Sequence, residues 1–100
     1  MCRTFHFRKI KQRSEDAERY GVPLMYTEFG ACFDGEECKV EINNSADAFD
    51  EYLASWSYWM YKSFGDFTTT GGTKEGMYNP DGSPQALKLK ALTRSFIHAF

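Results

Sequence analysis

The stretch that decides the fold is Val22-Pro23-Leu24-Met25-Tyr26-Thr27-Glu28-Phe29-Gly30. It is short, mostly apolar, and ends in a carboxylate and a glycine, which is typical of a strand buried on both faces in a parallel sheet. Alternation along the strand places Leu24, Tyr26 and Glu28 on one side. In barrels of parallel strands, catalytic groups lie at the carboxyl ends of the strands. Glu28 is therefore a candidate catalytic residue.

Helices and one further strand are predicted around this segment. Apolar and small residues at helical spacing indicate a first helix over about 7–20, which Gly21 ends and Pro23 keeps from resuming. Residues 30–44 show no sustained period and predict a loop, after which Ser45 is expected to cap a helix near 45–55. An aromatic strand follows near 56–62. Ser83-Pro84 then predicts the start of a helix near 84–100.

The predicted order of helix, strand, helix, strand, helix indicates an α/β fold. Strands that alternate with helices run parallel and are joined by right-handed crossovers. The chain has 100 residues, whereas a (β/α)8 TIM barrel takes about 250. We therefore expect residues 1–100 to form one unit, the C-terminal portion of a barrel with about its last two strand–helix units. The missing N-terminal barrel portion would be needed to complete it.

Composition narrows the possible functions. A hydrophobic content of 42% and an aromatic content of 17% are sufficient for a packed core. A net charge of -2 without a long basic cluster argues against nucleic-acid binding. The sequence contains no apolar run of the ~20 residues that a transmembrane segment needs, and no signal peptide follows Met1. The cysteine spacing does not fit a zinc site, and no metal and no cofactor are expected.

The three cysteines are Cys2, Cys32 and Cys38. If the two closest form a disulfide, it bridges the loop after Glu28 and indicates an oxidising compartment. Free thiols that behave as small hydrophobic side chains are an equal alternative. The sequence Asn43-Asn44-Ser45 matches an N-glycosylation site, which is weakly in favour of secretion.

The second strand is rich in aromatic rings that suit stacking on a sugar. Alternation places Trp59 and Tyr61 on one face and Trp56, Tyr58 and Met60 on the other, and one of these faces must be buried under helices. Together with Glu28, these rings point to a glycosidase. Taken one at a time, aromatic residues of this kind more often belong to a packed core, and a carboxylate like Glu28 is more often a solvated loop residue. Glycoside hydrolysis also needs two carboxyl groups, and only one candidate is present.

Thr27-Glu28-Phe29-Gly30, followed on the next strand by Tyr58-Trp59, resembles glycoside hydrolase family 5. The further motifs are Tyr58-Trp59-Met60-Tyr61-Lys62, Asp66-Phe67-Thr68-Thr69 and Glu75-Gly76-Met77-Tyr78-Asn79, and with these the chain resembles the endoglycoceramidase branch. The resemblance implies a (β/α)8 barrel, a retaining mechanism, Glu28 as nucleophile and Trp59 as the floor under the sugar. The family's acid/base glutamate follows an asparagine, and this chain has no Asn-Glu pair.

The resemblance therefore implies the C-terminal fragment of a retaining O-glycosyl hydrolase that cleaves the oligosaccharide–ceramide bond of glycosphingolipids. The substrate is expected to be a glycolipid or oligosaccharide, and the parent protein to be secreted or lysosomal. The fragment alone is expected to be inactive, because it lacks the acid/base. The alternatives are a non-catalytic truncated product and an unrelated small α/β interaction domain.

Overall fold

The computed structural model describes residues 2–69 and 74–96. In chain order the elements are α1 (Cys2–Tyr20), β1 (Met25–Gly30), α2 (Glu36–Glu51), β2 (Ser55–Trp59) and α3 (Ala86–Leu92), which continues as a 3-10 turn over Thr93–Phe96. The strands β1 and β2 pair in parallel as a two-stranded sheet. The described residues thus form a small α/β unit with the predicted order of elements.

Helix α1 ends where the sequence predicts. Gly21 has a positive φ of 64°, and its N–H donates to the carbonyl of Glu18 at 3.1 Å. The N–H of Val22 donates to the carbonyl of Ala17 at 3.1 Å. This is a glycine-based helix end, and it turns the chain directly towards β1. The helix begins at Cys2, five residues before the predicted start.

Helix α2 corrects the prediction for residues 30–55. It begins at Glu36, so the predicted loop over 30–44 is mostly helical and Ser45 is an interior helix residue rather than a cap. Glu36 and Glu37 occupy the first turn, where carboxylates suit the helix dipole. The buried face is formed at helical spacing by Cys38, Ile42, Ser45 and Phe49. Cys38 and Ser45 are small and only weakly apolar, so the sequence does not show the helical period of this face.

The main core lies between the sheet and helices α1 and α2. Phe49 of α2 is its central ring, 4.9 Å from Tyr26, 5.0 Å from Phe29 and 6.5 Å from Trp56 between ring centroids. A second cluster joins α2 to α3 and consists of Cys38, Ile42, Tyr58, Ala91 and Leu92. Arg94, in the last turn, forms ion pairs with two residues of α2, Asp47 at 2.6 Å and Asp50 at 3.1 Å.

Strand β2 is shorter than predicted and ends at Trp59. The peptide bond between Trp59 and Met60 is cis. From there the chain pairs with a later turn, because the N–H of Met77 donates to the carbonyls of Met60 and Tyr61, each at 2.9 Å. Residues 60–62 are therefore not the end of a strand.

Helix α3 also begins later than predicted, at Ala86. Ser83 does not cap it, because the Ser83 hydroxyl donates to Asp81 at 2.6 Å and Gln85 occupies the N-cap. The last part of the predicted helix, 97–100, lies outside the described residues.

Among the described residues, helices cover only one face of the sheet, contrary to the expectation of burial on both faces. On the other face the side chains of β1 and β2 are exposed, among them Met25, Thr27, Glu28, Ser55 and Ser57. Each strand also has one edge without a partner among residues 2–69 and 74–96. None of the helices described here is both long and apolar enough to cross a bilayer.

Candidate functional site

A β-bulge in β1 determines where Glu28 lies. Tyr26 pairs with Trp56 and Phe29 pairs with Tyr58, so two residues, Thr27 and Glu28, face the single residue 57 of β2. Tyr26 and Phe29 consequently lie on the same side of the sheet, against α2. The prediction that Glu28 shares a side with Leu24 and Tyr26 is wrong, because simple alternation does not hold across a bulge.

Glu28 lies on the face of the sheet that the helices leave open. Phe29, the next residue, packs into the core between Phe49 and Trp56, with centroid distances of 5.0 Å to each ring. Tyr26, on the other side of the bulge, also packs on Phe49, whereas Thr27 and Glu28 between these two rings are both exposed, so the Glu28 side chain points away from the core. Glu28 is exposed, as a carboxylate without a buried partner requires.

Strand alternation assigns Trp59, which is half-buried, to the same open face. Trp56 and Tyr58 pack towards the core, with Phe29 5.0 Å and 5.5 Å from them respectively. Alternation then directs Ser57 and Trp59 to the opposite face. The predicted division of the aromatic residues is confirmed for Trp56 and Tyr58, which both pack on Phe29. Tyr61 lies beyond the strand, with its ring 5.1 Å from that of Tyr78.

Glu28 and Trp59 are thus neighbours at one end of the sheet. The strands are parallel, Gly30 pairs with Trp59 and Glu28 stands opposite residue 57. The carboxylate and the indole belong to adjacent strands, face the same way and lie at the carboxyl ends of both. This arrangement brings together the two residues that the sequence singled out.

Gly30 is required at the end of β1. It has a φ of 112°, a backbone conformation that side-chain-bearing residues rarely adopt. A Cβ atom added here would collide with the ring of Tyr58, with Cδ2 and Cζ each at 2.8 Å. The glycine of the Glu-Phe-Gly motif therefore lets Tyr58 pack directly against the strand that carries Glu28.

A buried polar cluster supports the segment that follows Trp59. Lys88 of α3 is fully buried, and its Nζ donates to the carbonyls of Lys74, Glu75 and Gly76 at 3.3, 3.1 and 3.0 Å. The hydroxyl of Tyr58 donates to the carbonyl of Glu75 at 2.9 Å. The turn over 74–76 is thereby attached both to α3 and to β2.

Burial shifts the pKa values of the two titratable members of this cluster. It raises the pKa of Tyr58 well above its ordinary value of 10.0, and the nearby Glu75 carboxylate adds to the rise. It lowers the pKa of Lys88 below 10.5, although Asp34 and Glu75 act in the opposite direction. Both shifts have the sign expected when a charged form is removed from water.

Cys32 and Cys38 form a disulfide, with their Cα atoms 5.4 Å apart. Of the two alternatives for these cysteines, the paired one is confirmed. The bridge joins the loop after β1 to the first turn of α2, so it constrains the chain two residues beyond Gly30. Within the described residues, no group of three or more His, Cys, Asp or Glu side chains is arranged to hold a metal ion.

Both loops at this end of the sheet expose phenylalanines. Phe33 follows β1 and is 64% exposed; Phe64 and Phe67 follow β2 and are 64% and 103% exposed. None of the three anchors its loop in the core. Asp66 instead organises the second loop, because its carboxylate accepts hydrogen bonds from the N–H groups of Thr68 and Thr69 at 2.8 and 3.0 Å. The Thr69 hydroxyl also donates to this carboxylate, at 2.7 Å, and this bond, followed by the backbone bonds, lowers the pKa of Asp66.

Sequence reasoning missed the polar cluster between α1 and α2. His6 Nε2 lies 2.5 Å from Oε1 of Glu41, and its Nδ1 lies 3.5 Å from the hydroxyl of Ser45. His6 and Glu41 are 35 positions apart in the sequence, and His6 and Ser45 are 39 positions apart. No local motif therefore reveals these contacts. Lys88 did carry a signal, because it precedes the buried Ala91 and Leu92 by three and four residues and so shares their helix face.

No protein-family model, no curated protein and no solved structure matches this chain.

Proposed function

We propose that the chain supplies the nucleophile and one sugar-binding wall of a retaining glycosidase, as its resemblance to family 5 implies. The observation that carries the proposal is the position of Glu28 and Trp59 on one open sheet face, at the carboxyl ends of adjacent parallel strands. In barrels of parallel strands this is the end where catalytic groups lie.

The proposed chemistry assigns one role to each residue. The carboxylate of Glu28 attacks the anomeric carbon, forming a glycosyl ester as the bond to the aglycone oxygen breaks, and water later hydrolyses the ester. Trp59 stacks on the C–H face of the sugar and holds it over the carboxylate. The departing oxygen takes a proton from a second carboxyl group, about 5 to 5.5 Å from the first. We assign that group to a part of the barrel outside this chain.

The uncovered surfaces of the sheet support placement in a larger barrel. In a barrel, a sheet is covered by helices outside and by its own other strands across the interior. The face that the helices cover fits the outer surface of two neighbouring barrel strands. The exposed face fits their inner surface. Exposed strand edges are unfavourable in a free-standing protein, and they would be paired in a closed barrel. On this basis the chain alone is inactive.

The substrate we propose is a glycosphingolipid, cleaved between oligosaccharide and ceramide. An amphiphilic substrate needs apolar groups beside the sugar site, and Phe33, Phe64 and Phe67 are exposed in the two loops at that end. The disulfide between Cys32 and Cys38 supports a secreted or lysosomal parent protein, because such bonds persist in oxidising compartments.

Active-site labelling tests the proposal. The chain is expressed joined to the reading frame upstream of Met1, and the product is incubated with a 2-deoxy-2-fluoro glycoside, which traps the glycosyl ester. We expect one sugar adduct by intact mass, located on the peptide containing Glu28. The adduct should be absent from Glu28→Gln and retained in the matched control Glu36→Gln. An adduct on another carboxylate, or glycolipid hydrolysis that survives Glu28→Gln, contradicts the proposal.

A small interaction domain is the second candidate, and the exposed phenylalanines are the observation in its favour. It predicts a stable monomer in which the outer edges of β1 and β2 are satisfied within these 100 residues. Amide hydrogen exchange distinguishes the two candidates: protected outer-edge amides in the isolated chain support the interaction domain, and rapid exchange supports the barrel fragment.

A further inference from the structure

An open cavity of about 920 Å³ lies where the loop after β1 enters α2, and its walls come from the segment 32–41. It is much larger than the cavity of about 180 Å³ between α1, β1 and α2. Sites that bind small molecules typically have volumes of about 300 to 1,000 Å³ and mostly apolar walls. The cavity at 32–41 has the volume of such a site.

Apolar groups form most of the surface of this cavity. Phe33 and Val40 contribute large side chains that are 64% and 54% exposed. The disulfide between Cys32 and Cys38 also lines the cavity and joins the loop side to the helix side. Because this bond fixes the two sides relative to each other, a ligand has little of the chain left to order when it binds.

The charges at the cavity are all of one sign. Its ionisable lining side chains are acidic, namely those of Asp34, Glu36, Glu37 and Glu41. Two of the four are paired with cations outside the cavity wall. Glu36 forms an ion pair with Lys39 at 2.9 Å, and Glu41 contacts His6 at 2.5 Å.

The other two carboxylates, those of Asp34 and Glu37, form no ion pair with any residue in 2–69 or 74–96. Both residues are exposed at the cavity. Asp34 does act electrostatically on Lys88, but the Lys88 ammonium is already bonded to three carbonyls. An apolar cavity whose available charges are all negative favours a ligand that is a cation.

The side chains at the cavity suit an organic cation better than a metal ion. Among the described residues, no three His, Cys, Asp or Glu side chains converge as metal ligands would. An ammonium group needs no such convergence, because a nearby carboxylate and the face of an aromatic ring both attract it. Phe33 and Asp34 supply these two groups from adjacent positions in the cavity wall.

We propose that this cavity is a binding site for a small organic cation, an ammonium group attached to an apolar chain. The apolar chain packs on Phe33 and Val40, and the ammonium group lies beside the carboxylates of Asp34 and Glu37. The site goes beyond the proposed glycosidase function, because neither Glu28 nor Trp59 lines it. Either proposal can fail without affecting the other.

Titration of the 100-residue chain with octyltrimethylammonium tests the site, and the methyl resonances of Val40 report binding by NMR. We expect saturable shifts and a dissociation constant on the order of 1 mM. Octanol, which has the same chain and no charge, should bind about fivefold more weakly. Tetramethylammonium, which has the charge and no chain, should bind at least about tenfold more weakly. The anion octyl sulfate should give no saturable shift.

Variants separate the two parts of the site. Asp34→Asn and Glu37→Gln each remove one charge at nearly constant shape, so each should weaken octyltrimethylammonium about threefold and leave octanol unchanged. Phe33→Ala removes an exposed apolar side chain and should weaken both compounds. Glu18→Gln, at an exposed carboxylate of α1, is the matched control and should bind both compounds as wild type does. Circular dichroism confirms that each variant is folded.

The proposal is overturned if octyltrimethylammonium gives no saturable shifts, or if the shifts lie outside the segment 32–41. It is also overturned if Asp34→Asn and Glu37→Gln both bind the cation as tightly as wild type. Equal affinities for octyltrimethylammonium and octyl sulfate would identify the cavity as an apolar surface without preference for charge, which contradicts the proposed ligand class.

Discussion

The ammonium group of Lys88 lies 3.0 Å from the carbonyl oxygen of Gly76, in the interior of the molecule. With the carbonyls of residues 74 and 75 as further acceptors, all three N–H groups of the ammonium have partners. Gly76 itself packs against the backbone next to β2, where an added Cβ would lie 3.1 Å from the Cα of Lys62. One side chain of α3 therefore fixes the backbone that leaves Trp59.

Replacing Lys88 with methionine should strongly destabilise the fold. The apolar stem is kept, but three buried carbonyls lose a donor, and each unsatisfied buried group costs roughly 1 to 3 kcal/mol. We expect the free energy of unfolding to fall by about 3 kcal/mol, since relaxation and water recover part of the loss. Urea denaturation followed by far-UV circular dichroism measures this change.

Lys90→Met is the matched control for this prediction, because Lys90 lies on the exposed side of the same helix. It should change the free energy of unfolding by less than about 0.5 kcal/mol. Equal effects of the two substitutions would show that the three contacts of Lys88 contribute nothing specific.

Tyr58 should make the stability of the fold sensitive to alkaline pH. Its pKa is raised in the folded state above 10.0, so above pH 10 the unfolded chain releases this proton before the folded chain does. The stabilisation from Tyr58 is therefore complete below pH 10 and is lost progressively above it. The lowered pKa of Lys88 acts in the opposite sense, because its stability contribution increases with pH up to 10.5.

The contribution of Tyr58 is isolated by comparing wild type with Tyr58→Phe. At neutral pH the free energy of unfolding of the variant should be about 1 kcal/mol lower than that of wild type, because the variant lacks the hydrogen bond to the carbonyl of Glu75. The difference between the two proteins should shrink as the pH rises from 9 to 11, whereas the contribution of Lys88 cancels in the comparison. Guanidinium unfolding at a series of pH values measures it. A difference that is constant over this range would contradict the assignment.

Gly30→Ala should destabilise the protein through two additive effects. The positive φ costs an alanine about 1 to 2 kcal/mol, and the collision with Tyr58 adds roughly 1 to 3 kcal/mol of overpacking. Gly21→Ala has the first effect without the second, because no atom lies within 4 Å of a Cβ placed at Gly21. In thermal unfolding, the melting temperature of Gly30→Ala should therefore be well below that of Gly21→Ala. Equal melting temperatures would rule out the steric contribution.

Loss of the disulfide should loosen the loop that follows Gly30. Cys32 and Cys38 are six residues apart in sequence, and closing a loop of this size stabilises a fold by about 2 kcal/mol. The double variant Cys32→Ser/Cys38→Ser should lose about that amount in urea denaturation. When the wild-type protein is denatured without a reducing agent, a thiol assay should detect one free thiol, because two of the three cysteines are paired. Three titratable thiols would contradict the pairing.

The elements that the sequence predicted best are those with strong local signals. Strand β1 is an apolar run bounded by Pro23 and Gly30, and α1 ends at a glycine, so both were recognised without knowledge of the partners. Trp56 and Tyr58 share the predicted face because β2 alternates regularly over these residues. These features depend on a few neighbouring residues and on backbone geometry that each residue type favours.

The features that were missed depend on contacts between distant parts of the chain. The bulge at Thr27 and Glu28 is set by pairing with β2, and no local pattern marks it. The start of α2 was missed because Cys38 and Ser45 are buried, although neither reads as a strong hydrophobic residue. Lys88 was missed because a lysine is normally solvated. Its burial becomes understandable only when three carbonyls from a turn twelve to fourteen residues earlier surround its ammonium.

The role of Trp59 can be tested in the isolated chain, because the protein has only two tryptophans. Trp56 packs into the core 5.0 Å from Phe29, whereas Trp59 lies on the open face, so a sugar stacked on the sheet should perturb the emission of Trp59 alone. We expect lactose to change the fluorescence of wild type saturably at millimolar concentrations, typical of a small ligand on an open surface. Trp56→Phe should retain this response and Trp59→Phe should lose it, with circular dichroism confirming that both variants are folded. A response that persists in Trp59→Phe, or that is absent from wild type, would remove the sugar-binding wall from the proposed site and leave Glu28 without the surface that positions its substrate.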